Sequence, residues 1–333
     1  MSATEDRKPL KMVSCGGCGG KVFIATDLPA FATTACPKCS HPVMMPVTMR
    51  QFELRQPIAS GGMGTVYRAY DRALHREVAV KLMRRDIAED PAALESFYRE
   101  ARACAALNHT NIIHIYTFEE HEGQRFLVME LADRGSLDGR IEKEKNLPEL
   151  DVLDVGIKVA SALATALKHG LLHRDIKPGN ILFNADGEPK LVDFGLARNA
   201  GEESEEDNAV WGTPYYIAPE KVMRQGETFL SDLYSLAGTL YHALTGHVPF
   251  EAQSIEEVVS AQVHTPLTPP HLVVPGITAP TSEAITVAMA KSPSDRYQTY
   301  DDFMMALTAS RSQLLVSQLR QSQPGGARGW WKR

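Results

Sequence analysis

The chain has 333 residues, 44% of them hydrophobic and 23% charged, with a formal net charge of −6. This length fits one domain of about 250 residues plus a short appendage, and the composition excludes a disordered or fibrous chain. The mild acidity argues against a nucleic-acid binder, no apolar run approaches the ~20 residues that span a bilayer, and the polar stretch 1–12 lacks a signal-peptide core, so a cytoplasmic protein is expected.

Residues 13–46 are rich in Cys, Gly and Pro, with a strand-like run at 21–25. Four of the five cysteines form two pairs, Cys15-Gly16-Gly17-Cys18 and Cys36-Pro37-Lys38-Cys39, with seventeen residues between the pairs. This spacing lies in the range of zinc sites. Four thiolates close a tetrahedral shell around Zn²⁺, so the metal would be structural rather than catalytic. The segment resembles a zinc ribbon; an iron–sulfur site and two redox dithiols are the competing readings. About thirty-five residues bury too little core to fold alone, so the metal is expected to supply folding energy. His41 reads as a surface histidine rather than a fifth ligand.

Residues 50–308 alternate strand-like and helix-like segments. Strands are expected at 52–58, 65–70, 77–83, 112–119 and 125–131. A helix starting near Pro91 and running to about residue 107 interrupts them, and Cys104 on its apolar stretch reads as inert packing. Beyond residue 135 the apolar spacing turns helical, at 151–169 and 230–244. The expected fold class is α+β, a strand-rich small lobe followed by a helical large lobe.

Between the first two strands lies Ile58-Ala59-Ser60-Gly61-Gly62-Met63-Gly64-Thr65-Val66. Glycines there let the backbone approach phosphates and present N–H donors, although such a turn alone is more often a plain hairpin. Val78-Ala79-Val80-Lys81 follows on a strand, placing a lysine within reach of phosphates bound at the turn, and Glu100 on the next helix is a carboxylate able to hold it. Further on come His173-Arg174-Asp175-Ile176-Lys177-Pro178-Gly179-Asn180-Ile181-Leu182, then Asp193-Phe194-Gly195 and Ala218-Pro219-Glu220.

In this order and spacing the chain, from about 52 to 307, resembles the eukaryotic-type (bacterial-style) serine/threonine protein kinase family. The resemblance implies a bilobal protein kinase fold with a β-rich N-lobe and helical C-lobe, preceded by the zinc-ribbon-like domain. It also implies transfer of the ATP γ-phosphate to protein Ser/Thr hydroxyls, including autophosphorylation. Asp175 would accept the substrate proton and Lys177 would neutralise the γ-phosphate. Asn180 and Asp193 would hold Mg²⁺, and Lys81, held by Glu100, would orient the α- and β-phosphates. Val66, Ala79 and Leu182 would sandwich the adenine. Met129 would stand as gatekeeper before a hinge from Glu130 to Ala132. Asp232 would brace the catalytic loop and Arg296 would pair with Glu220, both structurally. Lys177 and Gly212-Thr213-Pro214 favour Ser/Thr over Tyr specificity. The alternatives kept open are a nucleotide-binding scaffold and a small-molecule kinase.

One departure is Ala59, where the family's first loop glycine stands. Alanine fits if the position is extended. In many such kinases the arginine before the catalytic aspartate, here Arg174, pairs with a phosphate. The run Glu202-Glu203-Ser204-Glu205-Glu206-Asp207 suggests carboxylates partly replacing it. The ribbon is expected to bind a protein partner or regulate, while the kinase core folds without it. The tail, 309–333, has five basic residues and no acidic one. A short helix is expected around Leu314, Leu315, Val316 and Leu319. Trp330-Trp331 beside Lys332-Arg333 implies at most weak, salt-sensitive contact with a membrane surface, against a plain disordered or folded-back tail.

Overall fold

The computed structural model describes residues 9–62, 64–84, 94–95, 98, 102, 105–193, 198–199 and 214–322, with backbone only at 198–199 and 321–322. Met63, Glu100, Cys104, Phe194, Gly195, the acidic run 202–207, residues 212–213 and the tail from 323 lie outside the described residues. The chain divides into two compact units, Met1–Ala105 with His114–Asp133, and Ala106–Ile113 with Arg134–Arg333.

The first unit begins with two small hairpins. Strand β1 (Leu10–Ser14) pairs antiparallel with β2 (Lys21–Ala25), and β3 (Thr33–Ala35) with β4 (Pro42–Met44). Residues in β2 alternate, with Val22 and Ile24 buried and Lys21 and Phe23 exposed, the period-2 pattern of a strand with one covered face. The buried face packs with Cys15, Cys36 and Val43, so each hairpin delivers one cysteine pair to a common centre.

A six-stranded antiparallel sheet follows: β5 (Val47–Met49), β6 (Phe52–Gly61), β7 (Gly64–Asp71), β8 (Arg76–Met83), β9 (Ile115–His121) and β10 (Gln124–Met129), in the order β5-β6-β7-β8-β10-β9. The strand expected from 112 starts at Ile115 instead. Ile113 donates its N–H to Leu191 and Ile112 bridges the same residue, so their backbone groups are spent in the second unit.

Phe52, Leu54, Tyr67, Val78, Val80, Phe126 and Val128 fill one face of the sheet. Met44 joins them at 0% exposure, and the Phe31 ring lies 5.7 Å from that of Tyr67. The ribbon and the sheet therefore share one core at Met44 and Phe31. Only Met45 and Pro46 stand between β4 and β5, so no linker separates the two. The knuckle is pressed as closely, because a Cβ on Gly16 would sit 1.5 Å from Gln56 Oε1 on β6.

The second unit is built from α1 (Leu137–Glu144), α2 (Glu149–Lys168), α3 (Pro219–Val222), α4 (Phe229–Thr245), α5 (Ile255–His264), α6 (Pro270–Val273), α7 (Ala279–Ala288) and α8 (Tyr300–Ser322). Four short strands precede α3: β11 (Leu171–Leu172) with β14 (Arg198–Asn199), and β12 (Ile181–Phe183) with β13 (Pro189–Leu191). Helices α2, α4 and α8 meet at Gly156, where a Cβ would come within 2.7 Å of Leu240 and 3.0 Å of Leu307. A side chain there would force the helices apart. Helix α8 carries Phe303 and Leu307 into this core at 0% exposure and continues past residue 308 without a break. The helix expected near 314–319 is thus the end of a longer one, and Arg311 pairs with Asp154 of α2 along it. Among the described residues no helix is long and apolar enough to cross a membrane.

Candidate functional site

In the first unit the glycine-rich stretch is the β6–β7 hairpin. Ala59 pairs with Val66, Ser60 with Thr65 and Gly61 with Gly64. Ala59 is therefore extended, the condition under which alanine replaces glycine without strain. Ser60 and Thr65 hydroxyls stand 3.2 Å apart across the hairpin. Gly61 and Gly62 face open space, whereas a Cβ on Gly64 would meet Leu82 O at 2.1 Å. Gly64 thus answers to the close approach of β8. Ile58, at 39% exposure, projects from β6 toward solvent.

Lys81 sits on β8 opposite Val66 of β7 and Leu127 of β10. Ala79, buried, is opposite Met129 on the same sheet. Glu130 closes the strand by donating its N–H to His114 O at 2.8 Å. Its carboxylate accepts from His114 N at 3.3 Å, and Ala132 is buried beyond it. The hairpin, Lys81 and Met129 thus belong to one sheet, and residues 130–132 lead out of it.

In the second unit β12 and β13 and a tightly bonded loop hold the polar residues. Leu182, on β12, pairs with Lys190 and bridges Ser136. Lys177 Nζ donates to Asp175 Oδ2 at 2.7 Å, and Asn180 Nδ2 donates to the same oxygen at 2.9 Å and to Asp175 O at 2.8 Å. Both side-chain donors converge on Oδ2, leaving Oδ1 to accept from another group. Asn180 spends its Nδ2 this way and keeps its Oδ1 as an oxygen donor. Val192 N bonds Asn180 O at 3.0 Å and so places Asp193 directly after the loop. Arg174 (φ 68°) and Asp193 (φ 61°) both have left-handed backbones. Such strained positions persist where surrounding bonds over-determine them.

The bonds that do so start at α4. Thr228 caps that helix with a capping box, and Asp232 in its first turn is buried. One Asp232 oxygen accepts His173 N at 2.7 Å and the other Arg174 N at 2.8 Å. Burial pushes the Asp232 carboxyl above the usual carboxylate range, against the pull of His173 and these N–H donors. His173, at 0% exposure, closes the loop with Nε2 at 3.0 Å from Val192 O while its Nδ1 accepts from Asp175 N at 3.3 Å. Glu220 and Arg296 come together as expected, at 2.8 and 2.7 Å.

The four cysteines form the separate metal-competent cluster. Their sulfurs all lie within 4.8 Å of one another, with Cys15–Cys39 at 3.6 Å and Cys18–Cys36 at 3.8 Å. A tetrahedron with Zn–S bonds of about 2.3 Å has S–S edges of about 3.8 Å, whereas a disulfide needs about 2.05 Å. Lys38 N donates to Cys36 Sγ at 3.5 Å and draws that thiol down to about 7. Cys39 is pulled down by the His41 backbone N–H, but burial and its three sulfur neighbours push it up to about 12. Four adjacent thiolates thus need a cation to coexist. His41 stacks over Gly17, where a Cβ would meet it at 2.8 Å, and is not in the cluster.

The protein kinase domain model matches residues 52–310. The chain belongs to the protein kinase domain family. It is 40% identical over 254 residues to serine/threonine-protein kinase PknK of Mycobacterium tuberculosis (strain ATCC 25618 / H37Rv), covering 75% of this chain and 23% of that protein. It is 35% identical over 255 residues to serine/threonine-protein kinase PknB of Mycobacterium leprae (strain TN), covering 75% of this chain and 41% of that protein. The chain thus spans about a quarter to two fifths of the length of these relatives. Membership in the kinase family implies use of ATP and a divalent metal.

Two parts of this kinase's site escape sequence reading. His109 and Asn111 tie β13 to α2. His109 Nε2 lies 3.0 Å from Ser161 Oγ, and Asn111 Nδ2 bonds Pro189 O at 2.9 Å. The spacing His109-x-Asn111 ahead of a strand is the only signal for them. Glu227, the ion-pair partner of Arg174, has no such signal.

Proposed function

We propose that the chain is a serine/threonine protein kinase that transfers the ATP γ-phosphate to Ser/Thr hydroxyls of proteins, itself included. The observation that carries this reading is the convergence of Lys177 and Asn180 on Asp175 Oδ2, at 2.7 and 2.9 Å. The free Oδ1 suits a general base that takes the substrate hydroxyl proton. Lys177, held beside it, offsets charge on the transferred phosphoryl group, and Lys81 orients the phosphates, with Glu100 as its partner. Residues 58–66, Ala79, Met129, Glu130, Ala132 and Leu182 bind the nucleotide. Asn180 Oδ1 and the Asp193 carboxylate are the oxygen donors that a hard cation requires. Mg²⁺, when held there, neutralises phosphate charge. The names of the relatives support Ser/Thr specificity.

The test is transfer from γ-labelled ATP to a generic protein, read by phosphoamino acid analysis with and without EDTA. Phosphoserine or phosphothreonine that disappears with EDTA is expected. Label appearing only in small molecules, or only on tyrosine, would contradict the reading.

For residues 13–46 we propose a structural Zn²⁺ bound by Cys15, Cys18, Cys36 and Cys39. Elemental analysis of protein purified without chelator should find one zinc per chain, and Cys15→Ser/Cys18→Ser should lose it. Because Met44 and Phe31 pack on the sheet core, that variant should also melt several degrees lower. Iron in place of zinc, or an unchanged melting temperature in the metal-free variant, would overturn the respective half of the proposal. Reduced thiols at this site favour a cytoplasmic location.

A further inference from the structure

Arg174 precedes the proposed base, and its backbone is held by Asp232. Its side chain is only 12% exposed. A guanidinium that is nearly desolvated has to be balanced by an anion. One such anion is on the chain itself. Glu227 Oε2 lies 3.2 Å from Arg174 Nε, with the Glu227 side chain 14% exposed. These two atoms meet as an ion pair without the alignment of a hydrogen bond. Lys221 completes the cluster. Its Nζ is 2.6 Å from Glu227 Oε1 and 3.4 Å from Arg174 O, so Glu227 bridges two cations.

Glu227 is placed for this by local structure. Gly226 has φ 84°, a left-handed turn that suits glycine. Gln225 N returns to Glu220 O at 2.9 Å. Thr228, the next residue, is the α4 cap. The carboxylate therefore lies in the same turn that positions Asp232; Asp232 holds the Arg174 backbone and Glu227 its side chain.

From this geometry we infer that Glu227 is a positioning residue for phosphotransfer. Its permanent negative charge holds Arg174, and with it the 173–175 backbone, so catalysis does not wait for a phosphate to be added to the 193–220 segment. The inference rests on the reading of Asp175 as the base. The role is electrostatic, so it requires the charge of residue 227 and not merely its volume.

The experiment uses the full chain, dephosphorylated with a broad-specificity phosphatase that is then removed. Wild type should transfer phosphate to a protein substrate from the first turnovers without a lag. Glu227→Gln keeps the shape and loses the charge; its kcat should fall roughly tenfold or more, as for a small misplacement of a catalytic group. Its KM for ATP should stay near wild type and it should remain folded at the assay temperature, although it should melt lower because Arg174 and Lys221 lose a counter-charge, and Glu227→Asp should recover part of the rate. A lag removed by preincubation with ATP would overturn the inference, because activity would then depend on self-phosphorylation. So would wild-type kcat in folded Glu227→Gln, or loss of the fold in that variant, which would make the residue structural. Asp175→Asn serves as the discriminating arm. If it transfers at the wild-type rate, the reading of Asp175 fails; if it is inactive while Glu227→Gln is not, only the inference fails.

Discussion

Asparagine at position 175 should leave the chain folded and nearly without phosphotransfer. The Asp175 side chain is about one-third exposed, and asparagine retains an oxygen that can accept from Lys177 and Asn180. The loop bonds from Asp232, His173 and Val192 involve backbone atoms or other side chains and survive the change. What is lost is the basic oxygen that takes the hydroxyl proton, a contribution of about 10²–10⁴ in rate. The loss should fall on kcat with little change in KM for ATP, because the substitution removes no group assigned to nucleotide binding. Lys81→Ala should also be severely impaired, by about 10²–10³, but through phosphate orientation. Steady-state rates on folded variants decide this. Asp175→Asn within about threefold of wild type would show that no general base acts from residue 175.

The largest stability effect is expected at Arg296. Its side chain is 0% exposed and that of Glu220 4%. Every guanidinium N–H has a partner: Glu220 Oε1 at 2.8 Å, Glu220 Oε2 at 2.7 Å, and the carbonyls of Ala290 at 2.8 Å, Leu230 at 2.8 Å and Lys291 at 3.1 Å. Ser231 Oγ adds a bond to Glu220 Oε1 at 2.7 Å. The pair thus joins α3, the start of α4 and the segment after α7. Arg296→Ala strands a buried carboxylate and three carbonyls, at a cost of about 3–5 kcal/mol. That is a large share of a domain's total stability of about 5–15 kcal/mol. Lysine cannot reproduce the fork, so Arg296→Lys should also be destabilised. Removing both charges, Glu220→Gln with Arg296→Met, should cost less than the two single changes summed. Denaturant unfolding measures this, and a loss below about 1 kcal/mol in Arg296→Ala would refute it.

The same pair carries a pH signature. Burial raises the Glu220 pKa, but the Arg296 hydrogen bonds and charge outweigh it and leave the carboxyl below its usual value. Its contribution is therefore full above the unfolded value of about 4.3 and is lost as pH falls through the lower folded value. Wild type should lose stability more steeply than Glu220→Gln below about pH 4.

The catalytic half of the second unit was legible in the residues because its chemistry demands particular side chains at short spacing. Asp175, Lys177 and Asn180 share one loop, and the structure joins them in hydrogen bonds. Asp232 and Arg296 lay far off in sequence but within recognisable surroundings. Glu227 offered nothing comparable: a glutamate after Gln225-Gly226 looks like any exposed turn, and only the fold brings it to Arg174. The place of the Met44 side chain is illegible for a different reason. In Val43-Met44-Met45 the apolar run fits a ribbon strand as well as a sheet core, and pattern alone does not say which core receives each residue. Of helix α8 only the end around 314–319 is expected from the residues, although the sequence holds no breaker between Tyr300 and Pro324.

The central claim is that this chain itself moves phosphate onto protein hydroxyls through Asp175. The most direct measurement is intact mass and phosphopeptide mapping of wild type and Asp175→Asn, each dephosphorylated and then incubated with ATP and Mg²⁺ beside a protein substrate. Phosphate on Ser and Thr in the wild-type reaction, and none in the Asp175→Asn reaction, is the predicted result. Equal phosphate in both reactions, or none in either with folded protein, would contradict the account.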